Sequence, residues 1–157
     1  MNKNDAVKIA INGAAGRMGR ALINAALVTP QAKLSAALDR PNSPELDTDA
    51  GSLVGLPAAG VELTDDLVAA LTASDVLVDF TRPEATIAAL DACVKANKAM
   101  VIGTTGFTPE QKAKIEAAAK QIPICQAANF SIGVSVAFKL LELAAKTFGD
   151  TVDIEIV

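Results

Sequence analysis

The sequence predicts an α/β fold of the Rossmann type, a doubly wound parallel sheet. Three observations carry that expectation. Short apolar runs alternate with stretches of helical periodicity. The first run, residues 7–11, leads straight into Gly13-Ala14-Ala15-Gly16-Arg17-Met18-Gly19, a G-x-x-G-x-x-G turn that opens a helix. An acid, Asp39, closes the second run twenty residues after Gly19.

The elements follow in order. The β-branched run 7–11 reads as a buried strand, and residues 16–27 carry Met18, Leu22, Ile23, Ala26 and Leu27 at helical spacing. Residues 34–38 form the second strand. Residues 40–60, rich in Pro, Gly, Ser and Asp, read as a long irregular connection. A short helix over 65–71, a strand over 75–80, a helix over 84–95 and a strand over 99–102 come next. Thr108 as cap, Pro109 at the first helical position and Gln111 as capping-box partner start another helix. A strand over 122–126 precedes a long helix over 134–148, whose polar stripe is Lys139, Glu142 and Lys146 and whose stop is Gly149. Residues 151–157 alternate like a strand with one solvated face, and read as the first strand of a further, missing α+β substrate domain. Residues 1–132 are thus expected to form the dinucleotide-binding domain, and 133–157 the connecting helix and that first strand.

Composition narrows the chemistry. The chain has 157 residues, 51% hydrophobic and 20% charged, which suits a globular domain with a full core. Aromatics are only 3%, so small aliphatic side chains must fill that core. A net charge of −4 without Lys/Arg runs argues against nucleic-acid binding. The polar start lacks the apolar segment of a signal peptide, and no uncharged run is long enough to span a bilayer, so the expected compartment is the cytoplasm. Cys93 and Cys125 are expected to be reduced core thiols. The chain has no His and no Tyr, which removes Ser-His and Cys-His dyads, His-based zinc sites and a Tyr general acid. Asp47-Thr48-Asp49-Ala50-Gly51 begins like a calcium loop but lacks the acid at its fifth position and the Gly at its sixth, so no metal site is expected.

The glycine turn is where cofactor chemistry concentrates. Glycines let a pyrophosphate approach the backbone amides, and the helix that follows offers free N–H groups and the positive end of its dipole. A plain tight turn is the bland alternative, but three glycines at this spacing are a costly way to begin a helix. Asp39 suits the adenosine ribose hydroxyls, and Arg40 beside it suits a 2′-phosphate, to which Arg17 could add, so NADH and NADPH are both expected. Three further segments should meet at the carboxyl edge of the sheet: Asp79-Phe80-Thr81-Arg82-Pro83-Glu84, Gly103-Thr104-Thr105-Gly106 and Ala127-Ala128-Asn129-Phe130-Ser131. Each has a blander reading. Thr81 with Glu84 could be only a capping box, and the other two only turns.

Taken together, G-A-A-G-R-M-G, A-L-D-R, V-D-F-T-R-P-E, V-I-G-T-T-G-F, A-A-N-F-S-I-G-V and the closing D-I-E-I-V resemble the dihydrodipicolinate reductases of the diaminopimelate route to lysine, over essentially the whole chain. The resemblance implies hydride transfer from NADPH or NADH to a cyclic imine-type substrate. It implies that Gly13, Ala14, Ala15, Gly16, Arg17 and Met18 hold the pyrophosphate, and that Asp39 and Arg40 read the adenosine ribose. Phe80, Arg82, Gly103, Thr104, Thr105, Ala127, Ala128, Asn129 and Phe130 complete the cofactor site, and Thr105 also reaches a substrate carboxylate. In that family an E-x-H-H-x-x-K segment and then a P-S-G-T segment follow the closing strand. Both are absent from this sequence, so no catalytic residue is expected within it. The resemblance further implies a homotetramer for the full-length protein and, for this chain, a monomer or weak dimer. A non-catalytic nicotinamide-nucleotide-binding regulatory module is the main alternative. A CoA-binding domain is a weaker one, disfavoured by the Asp39-Arg40 pair.

Overall fold

A computed structural model describes residues 6–153 and Glu155. Six strands form one sheet, β1 (Val7–Asn12), β2 (Ala32–Leu38), β3 (Leu63–Thr64), β4 (Val76–Asp79), β5 (Ala99–Ile102) and β6 (Ile124–Gln126), in the spatial order β3-β2-β1-β4-β5-β6. Every pairing in it is parallel. The chain therefore builds outward from β1 to β3, then returns to place β4 on the other side of β1. That reversal opens a crevice at the carboxyl ends of β1 and β4, where open α/β sheets take their ligands.

The helices are α1 (Arg17–Val28), α2 (Ala50–Leu53), α3 (Leu67–Ala73), α4 (Pro83–Ala96), α5 (Pro109–Ala118) and α6 (Ile132–Phe148). Successive residues of a strand face opposite sides of a sheet, so Ala10 and Ile11, or Ala36 and Ala37, divide between two cores. One core joins Ala10 and Ala36 to Leu77, Leu90, Met100, Ile102 and Ile115; the other joins Ile11 and Ala37 to Ile23, Ala26, Leu34 and Leu63. Alanines in the central strands let the helices lie close, which is how a chain so poor in aromatics closes its core.

Local signals set several boundaries. Thr108 accepts from the Gln111 amide at 3.3 Å while Gln111 Oε1 accepts from the Thr108 amide at 2.9 Å, so the expected capping box is formed. Helix α4 ends on Asn97 in the left-handed conformation, φ 52°. Asn is one of the few side chains that tolerates it.

Three expectations are corrected, and one of the blander alternatives, the Thr81–Glu84 capping box, falls. The connection 40–60 is not wholly irregular: it contains α2, and β3 follows it as an edge strand. Its organiser is Asp49, whose carboxylate accepts from the amides of Gly51, Ser52, Ala59 and Gly60 at 2.8–3.1 Å. Thr81 and Glu84 form no capping box, because Arg82 is the N-cap of α4 and caps with no side chain. Cys125 is exposed on the edge strand β6, although Cys93 is buried as expected. The strand expected over 151–157 begins differently: Gly149–Thr151 is a 3-10 turn, Val152, Asp153 and Glu155 are not in a strand, and Ile154, Ile156 and Val157 lie outside the described residues.

The chain divides into two compact units, one running through Gln126 and the other from Ala127 onward. The second is built on α6. Ser131 caps it by accepting from the Val134 amide at 3.3 Å, and the Asn129 side chain in turn accepts from the Ser131 amide at 2.9 Å. Glu142 pairs with Lys139 at 2.9 Å and with Lys146 at 2.6 Å, as the polar stripe predicts. Along α6, Ile132, Phe138, Leu140, Leu141 and Leu143 are exposed. Among the described residues no helix is long and apolar enough to cross a membrane, and no cluster of side chains is suited to a metal ion.

Candidate dinucleotide-binding site

Strand β1 ends at Asn12 and the chain turns at Gly13, whose φ of 76° belongs to the left-handed region that glycine adopts without strain. A Cβ there would also stand 2.8 Å from the Thr81 methyl. Gly19, in the first turn of α1, lies so close beneath that an added Cβ would strike the Gly13 carbonyl. The two glycines thus press the start of α1 against the strand end. Gly16 is the N-cap and brings no side-chain cap, and the first turn of α1 carries no acid. No side chain caps this helix and its own first turn brings no carboxylate, so the turn fits a phosphate group beside the one amide, that of Ala15, which Asp39 takes.

Asp39 follows β2 and stands beside this turn. Its carboxylate accepts from the Ala15 amide at 2.7 Å and from the Arg40 amide at 2.7 Å. The predicted acid is therefore a brace of the glycine turn as well as a candidate ribose ligand, and a carboxylate keeps further acceptor sites for hydroxyls. Arg40 is exposed beside it. Arg20 fastens the other side, donating to the carbonyls of Ala15 (2.9 Å) and Leu53 (2.7 Å) and lying 3.5 Å from Glu45.

These groups line a cleft of about 790 Å³ at the sheet's switch point, with Asn12, Gly13, Ala15, Gly16, Asp39, Arg40, Phe80, Thr81 and Arg82 on its walls. The structure thus brings together, in one cleft, the glycine turn, the acid–base pair after β2 and the segment after β4. Arg17 and Met18 are exposed at the start of α1, whereas Ala14 is buried and donates its amide to the Leu38 carbonyl at 2.8 Å. Gly103 backs onto Phe80, whose ring leaves no room for an added Cβ. Thr105 is exposed, but the Thr104 hydroxyl points inward and donates to Asp79 at 2.9 Å. Ala127, Ala128, Asn129 and Phe130 belong to the second unit.

Sequence reasoning missed several residues of this cleft. Ser43, Glu45 and Asp65 line it near Arg40, and nothing in their local pattern marks them. Asn12 had a usable signal: it is a polar residue ending a strand directly after the buried Ala10 and Ile11, where it must find partners. Asn12 Nδ2 donates to Asp79 Oδ2 at 2.6 Å. Cys93 lies under the same region. Burial, and secondarily the charge of Asp79, push its thiol up to about 12, so it is an inert protonated thiol at neutral pH.

Comparison with known proteins now decides the family. The family model described as "Dihydrodipicolinate reductase, N-terminus" matches residues 7–130. The chain belongs to that family. It is 56% identical over 96% of its length to a 4-hydroxy-tetrahydrodipicolinate reductase of Burkholderia ambifaria, and 52% identical over 96% to one of Paraburkholderia phymatum. It spans only 57% of the length of either relative. Among solved structures it is similar to a dipicolinate-bound dihydrodipicolinate reductase from Paenisporosarcina sp. TG-14, with a TM-score of 0.71 and 29% identity over 89% of this chain and 54% of that one. The α/β, Rossmann-type sheet expected from the sequence is that of the reductase N-terminal domain.

Proposed function

We propose that this chain is the NAD(P)H-binding part of a 4-hydroxy-tetrahydrodipicolinate reductase, an oxidoreductase of lysine and diaminopimelate biosynthesis. The observation that carries the reading is the single cleft in which uncapped helix amides, the Asp39–Arg40 pair and Arg82 converge. The pyrophosphate lies on the turn from Gly13 to Met18 and is drawn by the dipole of α1. Asp39 accepts from ribose hydroxyls, and Arg40 supplies a charge for a 2′-phosphate, so both cofactors are accepted. When bound, the nicotinamide supplies the hydride. Gly103, Thr104 and Thr105 back that end of the cofactor. Thr105 also reaches a substrate carboxylate.

On this reading residues 1–132 do the binding and 133–157 lead into a substrate domain. The full-length protein works in the cytoplasm as a homotetramer, with its acid–base groups outside the present sequence. The likeness in sequence to reductases favours this over a non-catalytic regulatory module.

Titration calorimetry tests the reading directly. The 157-residue chain should bind NADPH and NADH without substrate, and Gly13→Val should abolish binding by straining the turn and striking Thr81. Unchanged affinity in that variant, or no binding by the parent chain, would overturn it.

A further inference from the structure

Asp79 is the last residue of β4 and its side chain is fully buried, at 0% exposure. Five donors converge on its carboxylate. Oδ1 accepts from the Thr81 amide (3.1 Å) and from the hydroxyls of Thr81 (2.8 Å), Thr86 (2.7 Å) and Thr104 (2.9 Å). Oδ2 accepts from Asn12 Nδ2 at 2.6 Å. Every neighbour is a donor, which an acceptor-only carboxylate satisfies and a neutral apolar side chain of the same size would leave unpaired.

These partners come from separate parts of the sheet edge. Asn12 immediately precedes the glycine turn. Thr81 lays its methyl against Gly13 and precedes Arg82. Thr86 lies in the first turn of α4. Thr104 lies in the loop that leaves β5, and the Gly103 amide next to it donates to the Asp79 main-chain carbonyl at 2.8 Å. One buried residue therefore fixes the glycine turn and the 103–105 loop to each other. Asn12 and Thr104 share no hydrogen bond; their common partner is Asp79.

We propose that Asp79 is a positioning residue that sets the spacing between the glycine turn and the Gly103–Thr105 loop, and so couples the two ends of a bound nicotinamide dinucleotide. The inference rests on the dinucleotide reading above. A ligand that enters at the β1–β4 switch point and runs along the carboxyl edge toward β5 crosses both loops. Its pyrophosphate and its nicotinamide then sit on segments whose separation one carboxylate holds. A side chain that served stability alone would affect both halves of the ligand alike.

The test is a double-mutant cycle of Asn12→Ala and Thr104→Val, with Thr104→Ser as the rescue. Neither variant removes the carboxylate, and their melting temperatures are compared with the parent's to check that both fold. Affinities are measured for NADPH and for 2′-phospho-ADP-ribose, which lacks the nicotinamide. Thr104→Val should weaken NADPH about five-fold or more, leave 2′-phospho-ADP-ribose unchanged and be restored by Thr104→Ser. The double variant should lose less NADPH affinity than the product of the two single losses. In ligand-free protein, Asn12→Ala should speed hydrogen exchange in the 103–107 loop.

Equal losses for both ligands with strictly multiplicative effects would overturn the proposal. So would unchanged exchange in that loop. A parent chain that binds neither ligand would overturn the dinucleotide reading, whatever the exchange arm shows, so the two failures are distinguishable.

Discussion

At the carboxyl end of β1 the polypeptide offers its ligand bare backbone: glycines, uncapped helix amides and a half-exposed acid. At the carboxyl end of β4, two strand widths along the same edge from β2, it buries a charge and surrounds it with hydroxyls. The first region is open because an anion must reach the amides. The second is closed because its task is to hold loops still, and a carboxylate shielded from water makes its hydrogen bonds count for more. The difference teaches that binding chemistry and site geometry can be assigned to different residues of one edge. Change at an exposed group of the first, such as Arg40, should alter affinity without altering the fold, and change at the buried carboxylate of the second should do both.

The largest expected effect sets the two regions directly against each other. Asp79→Ala removes the acceptor shared by five donors, of which the Thr86 hydroxyl retains Thr104 at 2.9 Å, and should lower stability by about 3 kcal/mol or more, since each buried unsatisfied group costs about 1–3 kcal/mol. Gly16→Val should abolish NADPH binding. Its loss of stability should be smaller than that of Asp79→Ala, because Gly16 has ordinary φ and ψ of −69° and 166° and an added Cβ meets only the Gly13 carbonyl oxygen, at 3.2 Å. Urea unfolding of both variants decides. Equal stabilities would mean that water replaces the Asp79 carboxylate without penalty, and the contrast would fail.

A smaller effect sharpens the first region alone. Arg40→Ala should weaken NADPH relative to NADH by about 1.5–3 kcal/mol, the range of a charge-assisted hydrogen bond. Asp39→Ala should weaken both cofactors, because it also releases the Ala15 amide, and NADH the more. Competition titrations read the ratio; equal losses in each variant would show that the pair does not read the 2′ position.

The smallest effect lies in the 40–60 connection. The amides of Ala59 and Ser52 hold the Asp49 carboxyl below its usual value of 3.8; burial opposes them, and the amides of Gly60 and Gly51 lower it further by smaller amounts. A depressed carboxyl stabilises the folded state fully above its unfolded pKa, and that contribution fades as pH falls through the lower folded value. Asp49→Asn should therefore flatten the acid limb of a stability–pH profile below about pH 4 and leave its slope at neutral pH unchanged. An acid limb identical to the parent's would show that the loop does not depend on this charge.

The sequence was most legible where local chemistry decides structure. The glycine turn, the Thr108–Gln111 box and the Glu142–Lys146 pair are all short-range patterns, and each took the expected form. Legibility failed where distant residues decide. Helix α2 has four residues and strand β3 two, too short for periodicity to show, and Asp49 reaches partners as far along as Gly60. In the site, the D-F-T-R-P and G-T-T-G segments were placed at the ligand edge. Nothing local says, however, that the Thr104 hydroxyl turns inward while Thr105 stays exposed. Only the third dimension brings Asn12, Thr86 and Thr104 to one carboxylate.

The bracing of the glycine turn has a consequence for how fast a ligand is captured. Asp39 holds the Ala15 amide, and Asp79 holds Asn12, through hydrogen bonds made within the protein itself. Little of this loop must be ordered at the moment of encounter, so association should proceed in one phase, with a rate that rises linearly with nucleotide concentration and falls with added salt as Arg40 is screened. Differences in affinity between nucleotides would then be written in how long each stays, and Asp39, by keeping the turn built between visits, would act on the rate of arrival.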